Sequence, residues 1–328
     1  MNPFAFSPFR PSAVAATLAA LLASAAGAGA QSLPVYAPIN PLAASRSGVY
    51  FQPYQQPRPG RWIGSVTLDY ASAIELNEFS NASITLDAEL LRVRLRVARD
   101  LDPRLFVVAD AEIGGSYDGF LDGFLDWYHR TFGFHLRERD LRPRNQFRYE
   151  ILLPNGKTIR RDKSDLFLGD SRLGFGFRVS PSVQSVVSLT LPTSTAPRGY
   201  GRDVVSVSLL NTLHLVPHPR LVLEGGLGLG YTPPHGDLED FQRETFVSLS
   251  GGGRYRFWGR QSLFANLIYH NPYYHDTELP ALDRRELTLD FGWLLAARSG
   301  VDWKIGMTED LEPGGPGVDL IFRFGREF

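Results

Sequence analysis

Arg92, Arg94 and Arg96 recur at every second position. On a β-strand that spacing puts three guanidiniums on one face, because successive side chains point to opposite sides. Asp110 and Glu112 repeat the spacing with the opposite sign in the next alternating segment, so the two rows would face a common interior. Arg172, Glu224, Arg254 and Asp290 hold polar positions of later alternating segments, joined by Asp302, Lys304, Asp319 and Arg323. Such charges can line a water-filled lumen, or pair across it and close it. Their mixed signs argue against strong ion selectivity.

Hydrolytic chemistry has less to work with. An acyl hydrolase on an outward strand face needs a serine and a histidine within hydrogen-bond reach. The 7 histidines are His129, His135, His214, His218, His235, His270 and His275, and no His-x-Ser occurs. Asp237 beside His235 and Asp276 beside His275 are neighbours in sequence only, and adjacency is not geometry. No residue is assigned a catalytic role, and an outer-membrane hydrolase ranks third among the readings.

One long connection, 115–168, carries a helix signal. Phe120, Phe124, Tyr128 and Phe132 recur every four residues with Leu121 and Leu125 beside them, an apolar stripe at helical spacing. Such a helix would fold over or into a pore as a gate, lie at the membrane interface, or cap the barrel mouth. Asp118, Asp122 and Asp126 share another face. They suit a solvated surface better than a calcium site, so no metal and no cofactor is expected. Residues 130–163 then hold ten basic groups against four acidic ones, around a hairpin signature at Asn155-Gly156. An external basic hairpin would meet lipopolysaccharide phosphates or gather anionic solutes, unless it is an ordinary solvated loop.

The elements that must position these groups are strands. Twelve segments alternate apolar and polar residues, near 62–70, 86–98, 104–114, 169–179, 183–192, 203–215, 220–231, 244–257, 261–270, 286–296, 301–309 and 318–328. In 286–296, for example, Leu287, Leu289, Phe291, Trp293 and Leu295 oppose Glu286, Thr288, Asp290 and Gly292. Each is about the length a tilted strand needs to cross a bilayer, and an even number suits a bacterial single-chain barrel. The second segment changes phase, from Leu86, Ala88 and Leu90 to Leu91, Val93, Leu95 and Val97, which predicts a β-bulge near Leu90. Short turns at 102–103, 180–181, 217–219, 258–260 and 298–300 alternate with longer connections at 71–85, 115–168, 193–202, 232–243, 271–285 and 310–317. Short periplasmic turns and long external loops are the asymmetry of outer-membrane barrels. Aromatics such as Trp62, Phe177, Phe257 and Trp293 at one end and Tyr70, Tyr231 and Tyr269 at the other suit interface girdles. The chain ends on Phe328 with Phe324, Phe322 and Leu320 on one face, like the strand read by the outer-membrane assembly machinery; Arg326 departs from that pattern.

Composition agrees. The chain has 328 residues, 34 basic and 35 acidic, a formal net of -1, which argues against a nucleic-acid binder working through a basic surface. Cysteine is absent, so thiol and cysteine–metal chemistry and a lipoprotein anchor are ruled out. Arg10 precedes the small apolar run Ala13–Ala23, and Ala28-Gly29-Ala30 offers a cleavage site, so residues 1–30 read as a secretory signal peptide. Residues 31–60, rich in Pro and Gln, look extended and would hang in the periplasm or plug the lumen.

The stretch from Gly119 to Gly133, with Asn40-Pro41-Leu42, Leu168-Gly169-Asp170-Ser171-Arg172-Leu173-Gly174 and Thr308-Glu309-Asp310 in order, resembles domain-of-unknown-function family 3187. The resemblance spans about residues 40–328. It implies an outer-membrane-type barrel and supplies no catalytic residue. Where that family continues with a short Gly-rich turn after the helix, this chain has Phe134-His135-Leu136-Arg137-Glu138-Arg139. The expected fold is all-β: a single antiparallel transmembrane β-barrel over 61–328, in the cell outer membrane, in contact with its lipids and lipopolysaccharide. The leading function is non-catalytic passage of small solutes, with a structural or ligand-binding surface protein second.

Overall fold

In the computed structural model, residues 33–47, 51–132, 141, 143–297, 302–312, 315–318 and 320–327 are described. The expected signal peptide, Phe328, Asp319 and the 134–139 stretch lie outside them. Twelve strands close into one antiparallel barrel: β1 (Trp62–Glu78), β2 (Ser83–Asp100), β3 (Leu105–Tyr117), β7 (Ser171–Ser180), β8 (Val183–Leu191), β9 (Ser206–His218), β10 (Leu221–Tyr231), β11 (Thr245–Trp258), β12 (Gln261–His270), β13 (Glu286–Ala296), β14 (Asp302–Asp310) and β15 (Leu320–Glu327). Closure comes from β1 against β15, in register from Ser65↔Glu327 to Ser72↔Leu320. Three short strands, β4 (Arg148–Leu152), β5 (Thr158–Arg161) and β6 (Ser164–Leu168), belong to the long connection. β4 and β5 form a hairpin that extends the sheet beside the upper part of β2, and β6 pairs with the upper part of β3.

The alternation becomes an inside and an outside. Leu173, Phe175, Phe177 and Val179 of β7 are exposed, as are Leu223, Leu227, Leu229 and Tyr231 of β10 and Leu263 and Leu267 of β12. An apolar band of this extent is untenable in water and is what a bilayer requires. Facing inward on β7, Gly174 and Gly176 make room for β3. A Cβ at Gly176 would stand 2.1 Å from the Phe106 ring, and one at Gly174 2.6 Å from Val108.

Two expectations fail at β1 and β2. Residues 71–85 are not a loop: the strands run on to a tight tip at 79–82. Nor does β2 bulge near Leu90, since its register with β1 is unbroken from Arg99 to Ser83. Ile84, Leu86, Ala88, Leu90, Arg92 and Arg94 all share the inner face and are all buried. The apparent phase change arises because that face turns apolar in its upper half, where it packs against a segment inside the lumen.

That segment comprises residues 33–47 and 51–58. It rises to the short helix α1 (Pro41–Ala44), whose Asn40 side chain accepts a hydrogen bond from Leu42 N at 3.0 Å, and descends again. A bridge between Tyr36 and Phe51 ties the two limbs together. Leu33, Tyr36, Leu42, Phe51 and Tyr54 are buried, most of them in the cluster that holds Ile84, Leu86 and Leu90. The helix α2 (Asp122–Phe132) lies elsewhere, and α3 (Pro280–Asp283) is one turn in the 271–285 loop.

Candidate functional site

The candidate site is the space between the internal segment and the wall formed by β2, β3 and their neighbours. Because paired residues on adjacent strands point the same way, the cross-strand register fixes which charges meet. Asp69 of β1 stands opposite both Arg92 and Arg323. Its two oxygens accept from Arg92 at 2.6 Å and from Arg323 at 2.7 Å, and Arg323 reaches Asp290 at 2.7 Å. Thr308 donates to the same Asp290 oxygen at 3.1 Å. A belt of alternating charge therefore runs from β2 to β13. Arg94 pairs with Glu112 at 2.7 Å, and Arg172 with Asp110 at 2.5 Å. Arg96 approaches Asp110 only to 3.8 Å.

The internal segment is bound mostly through its backbone. Arg92 donates to the carbonyls of Ala37 and Pro38, while the segment's own Arg46 side chain donates outward to the carbonyls of Thr232, Pro233 and Arg243. Arg202 donates to those of Ala44 and Ser47. Burial pushes the Arg202 guanidinium down to about 10, so it stays charged at neutral pH. Nearer the short turns, Glu224 accepts from Tyr54 N at 3.2 Å and pairs with His214 at 2.8 Å, while Tyr54 stacks on the His214 ring. The other ring nitrogen of His214 meets Gln56 at 3.1 Å. His275 pairs with Asp276 in an exposed loop.

Two cavities beside this segment touch the charge rows. One, of about 110 Å³, lies toward the long loops and touches Arg92, Arg94, Asp110, Glu112, Arg172 and Arg202. The other, of about 240 Å³, lies toward the short turns and touches Arg94, Arg96, Glu224 and Arg254. Arg94 lines both. Of the charged residues named from the alternating segments, all but Asp319 are described, and each lines a cavity or is buried inside the barrel; Asp69, Arg46 and Arg202 complete the arrangement. Asp69 had a visible signal, as a lone acid on the polar face of 62–70. Arg46 and Arg202 lie in irregular segments that carry no periodicity.

The aromatic stripe sits on the outside of the barrel. Leu121 and Leu125 are the buried residues of α2 and its approach, packed against Tyr70, Met307, Leu320 and Phe322 on the outer faces of β1, β14 and β15. Phe120 stacks on Tyr70 and Phe124 leans on Phe322, yet they remain 69% and 40% exposed, and Trp127 is 56% exposed. Tyr128 stacks along Phe124 at 6.3 Å; of the Phe132 side chain nothing is described. Glu89, on the outer face of β2, fixes the position: it accepts from Phe120 N, Leu121 N and the Tyr70 hydroxyl. The helix neither covers nor enters the mouth. The aspartate row is divided among separate partners, Asp118 with Lys163, Asp126 with Arg144 and Asp122 with Asn145 N.

The mouth is instead crossed by the β4–β5 hairpin. Tyr149, Ile151 and Ile159 are buried on the internal segment's cluster, and Lys157 and Arg161 reach Asp237 in the 3₁₀ turn Gly236–Phe241, as does Arg198. Burial raises the Asp237 carboxyl. The hydrogen bond and charge of Arg161, with Arg198 and Lys157, more than offset this and hold it below the usual carboxylate range. The hairpin expected to face outward thus turns one face inward.

Comparison with solved structures places the fold. The chain is similar to the COG4313 outer membrane channel from Pseudomonas putida F1, with a TM-score of 0.53 and 15% identity over 84% of this chain and 98% of that one. Weaker similarities include the NanC porin (TM-score 0.46, 9% identity, 81% of this chain and 98% of that one) and a FadL homologue from Pseudomonas aeruginosa (0.43, 9%, 82% and 90%). The fold assignment rests on the first and on the closed register: this is an outer-membrane β-barrel. No curated protein matches the chain. The sequence model of the family described as protein of unknown function (DUF3187) matches residues 65–314, from the first barrel strand to the last external loop, and the chain belongs to that family.

Proposed function

We propose that this barrel is a non-catalytic outer-membrane channel for small solutes, with its route between the internal segment and the β2–β3 wall. The supporting observation is the pair of cavities at opposite ends of the lumen that meet at Arg94. A wall sealed for strength alone would have its interior filled; here polar space persists along an arginine row. The internal segment throttles the route, because it fills the rest of the lumen with Tyr36, Phe51 and Tyr54. Planar-bilayer recording tests the reading. The intact protein should give small steps, and removal of residues 33–58 should enlarge them severalfold while the heat-modifiable folded form persists. Silence of both forms would overturn it.

A second reading attaches to the outer face of α2. Phe120, Phe124 and Trp127 stand exposed where the aromatic girdle belongs, with Arg130 and Arg144 nearby in sequence. They would contact the outer leaflet and lipopolysaccharide phosphates. The C-terminal strand, with Phe322 and Phe324 on its lipid face, would serve the assembly machinery.

A further inference from the structure

The 240 Å³ cavity near the short turns is strongly positive. Six cationic side chains touch it, against two carboxylates, Glu224 and Glu327. Most of these cations are engaged. Arg94 is bound to Glu112 at 2.8 Å, and Lys304 to Glu327 at 3.1 Å. Arg96 differs. Among the described residues it donates no hydrogen bond, and its Nη1 is buried without a partner. Its one ion-pair partner, Asp110, stands 3.8 Å away and is committed through its other oxygen to Arg172 at 2.5 Å and 3.0 Å. A guanidinium carries five donors in a planar fork that matches a carboxylate, and leaving such a fork unfilled in a cavity is costly. Part of the remaining wall is apolar, including Val35, Ile63, Ala98, Val216 and Val222.

We propose that this cavity binds a small organic carboxylate, its charged end on the Arg96 guanidinium and its apolar body against Ile63, Val216 and Val222. This rests on the channel reading and names the class of solute that the channel favours. Bulk arithmetic permits it, since an apolar cavity of about 150 Å³ already holds benzene. An inorganic anion would use the charge and leave the apolar wall unpaired. A neutral ring would use the wall and leave Arg96 unsatisfied. The charged and apolar surfaces are both required only by an amphipathic anion. Mixed charge along the whole lumen therefore coexists with local selectivity, because Asp110 is drawn to Arg172 rather than to Arg96.

The test is calorimetric titration of the folded full-length barrel in detergent with benzoate, benzyl alcohol and inorganic phosphate. Benzoate should bind at least tenfold more tightly than either of the others. Arg96→Gln should weaken benzoate at least tenfold, and Arg96→Lys less than that. Val216→Trp, which crowds the cavity's exposed rim while leaving Arg96 in place, should weaken benzoate binding at least tenfold. Heat modifiability on gels reports whether each variant folds. Phosphate binding equal to benzoate would mean a bare cationic cluster and would overturn the proposal, as would equal benzoate binding by wild type and the folded variants, or none by the wild type. Swelling of liposomes in arabinose separates the two claims. Sugar passage without benzoate binding leaves the channel and removes this site. Arg96-dependent binding without sugar passage keeps the site and removes the channel.

Discussion

Asp69 holds two guanidiniums at once, with Arg92 on one oxygen and Arg323 on the other, and all three are almost fully buried. Buried pairs of this kind contribute modestly when intact and cost heavily when broken, because the remaining charge is stranded. Asp69→Asn should therefore destabilise the barrel by about 3–5 kcal/mol, read as a lower urea midpoint for loss of the heat-modifiable form. A midpoint unchanged within error would show that water already satisfies the arginines. Gly119 is the second sensitive residue. Its φ is +74°, and the Glu89 carboxyl occupies the space where a Cβ would stand. Gly119→Ala should displace Glu89 from Phe120 N and Leu121 N and release α2 at a cost of about 1–2 kcal/mol. Faster trypsin cleavage at Arg130 in an otherwise folded barrel would register that release; unchanged cleavage would place the anchor elsewhere.

At the scale of elements, α2 packs two leucines on the barrel and turns its aromatic rings to the bilayer. Replacing Phe124 and Trp127 with Ser should leave bilayer conductance and the barrel's thermal stability unchanged, because neither ring faces the lumen. Partition of the detergent-solubilised protein into lipopolysaccharide-containing vesicles should weaken severalfold. A rise in conductance would return α2 to the mouth. The stripe was visible as Phe120, Phe124, Tyr128 and Phe132, but its direction was not. In a membrane the solvent is itself apolar, so the more aromatic face need not be the buried one. The same ambiguity hid the upper half of β2, where Leu86, Ala88 and Leu90 meet the internal segment while Leu91, Val93 and Val97 lie on the opposite, outer face, with Val97 exposed to lipid. Strands with one polar face, such as β7, β10 and β13, were legible because water in the lumen and lipid outside enforce the alternation. The inward turn of the β4–β5 hairpin depends on Asp237, 76 residues beyond Arg161, and no local pattern announces a partner so distant.

For the whole molecule, the external mouth is closed by electrostatics that converge on one carboxylate. Lys157 and Arg161 come from the hairpin and Arg198 from the 193–202 loop, and Asp237 receives all three. They are unequal: the Arg198 and Lys157 side chains are 67% and 46% exposed, where ion pairs are worth little, whereas Arg161 is 14% exposed. Arg161→Gln should consequently loosen the hairpin more than Arg198→Gln. The pH dependence follows from the depressed Asp237 carboxyl. A group whose folded-state pKa lies below its unfolded value stabilises fully above that unfolded value, about 3.9 for aspartate, and ceases to do so as pH falls through the folded one. Closure should thus be constant from about pH 7 to pH 5 and fade only below about pH 4. Amide exchange of Ile151 and Ile159, corrected for its intrinsic rate, measures it. Asp237→Asn should show at neutral pH the exchange that the wild type reaches only in acid. Protection that faded between neutrality and pH 5, or that Asp237→Asn left intact, would mean that the buried Tyr149, Ile151 and Ile159 hold the mouth without the latch.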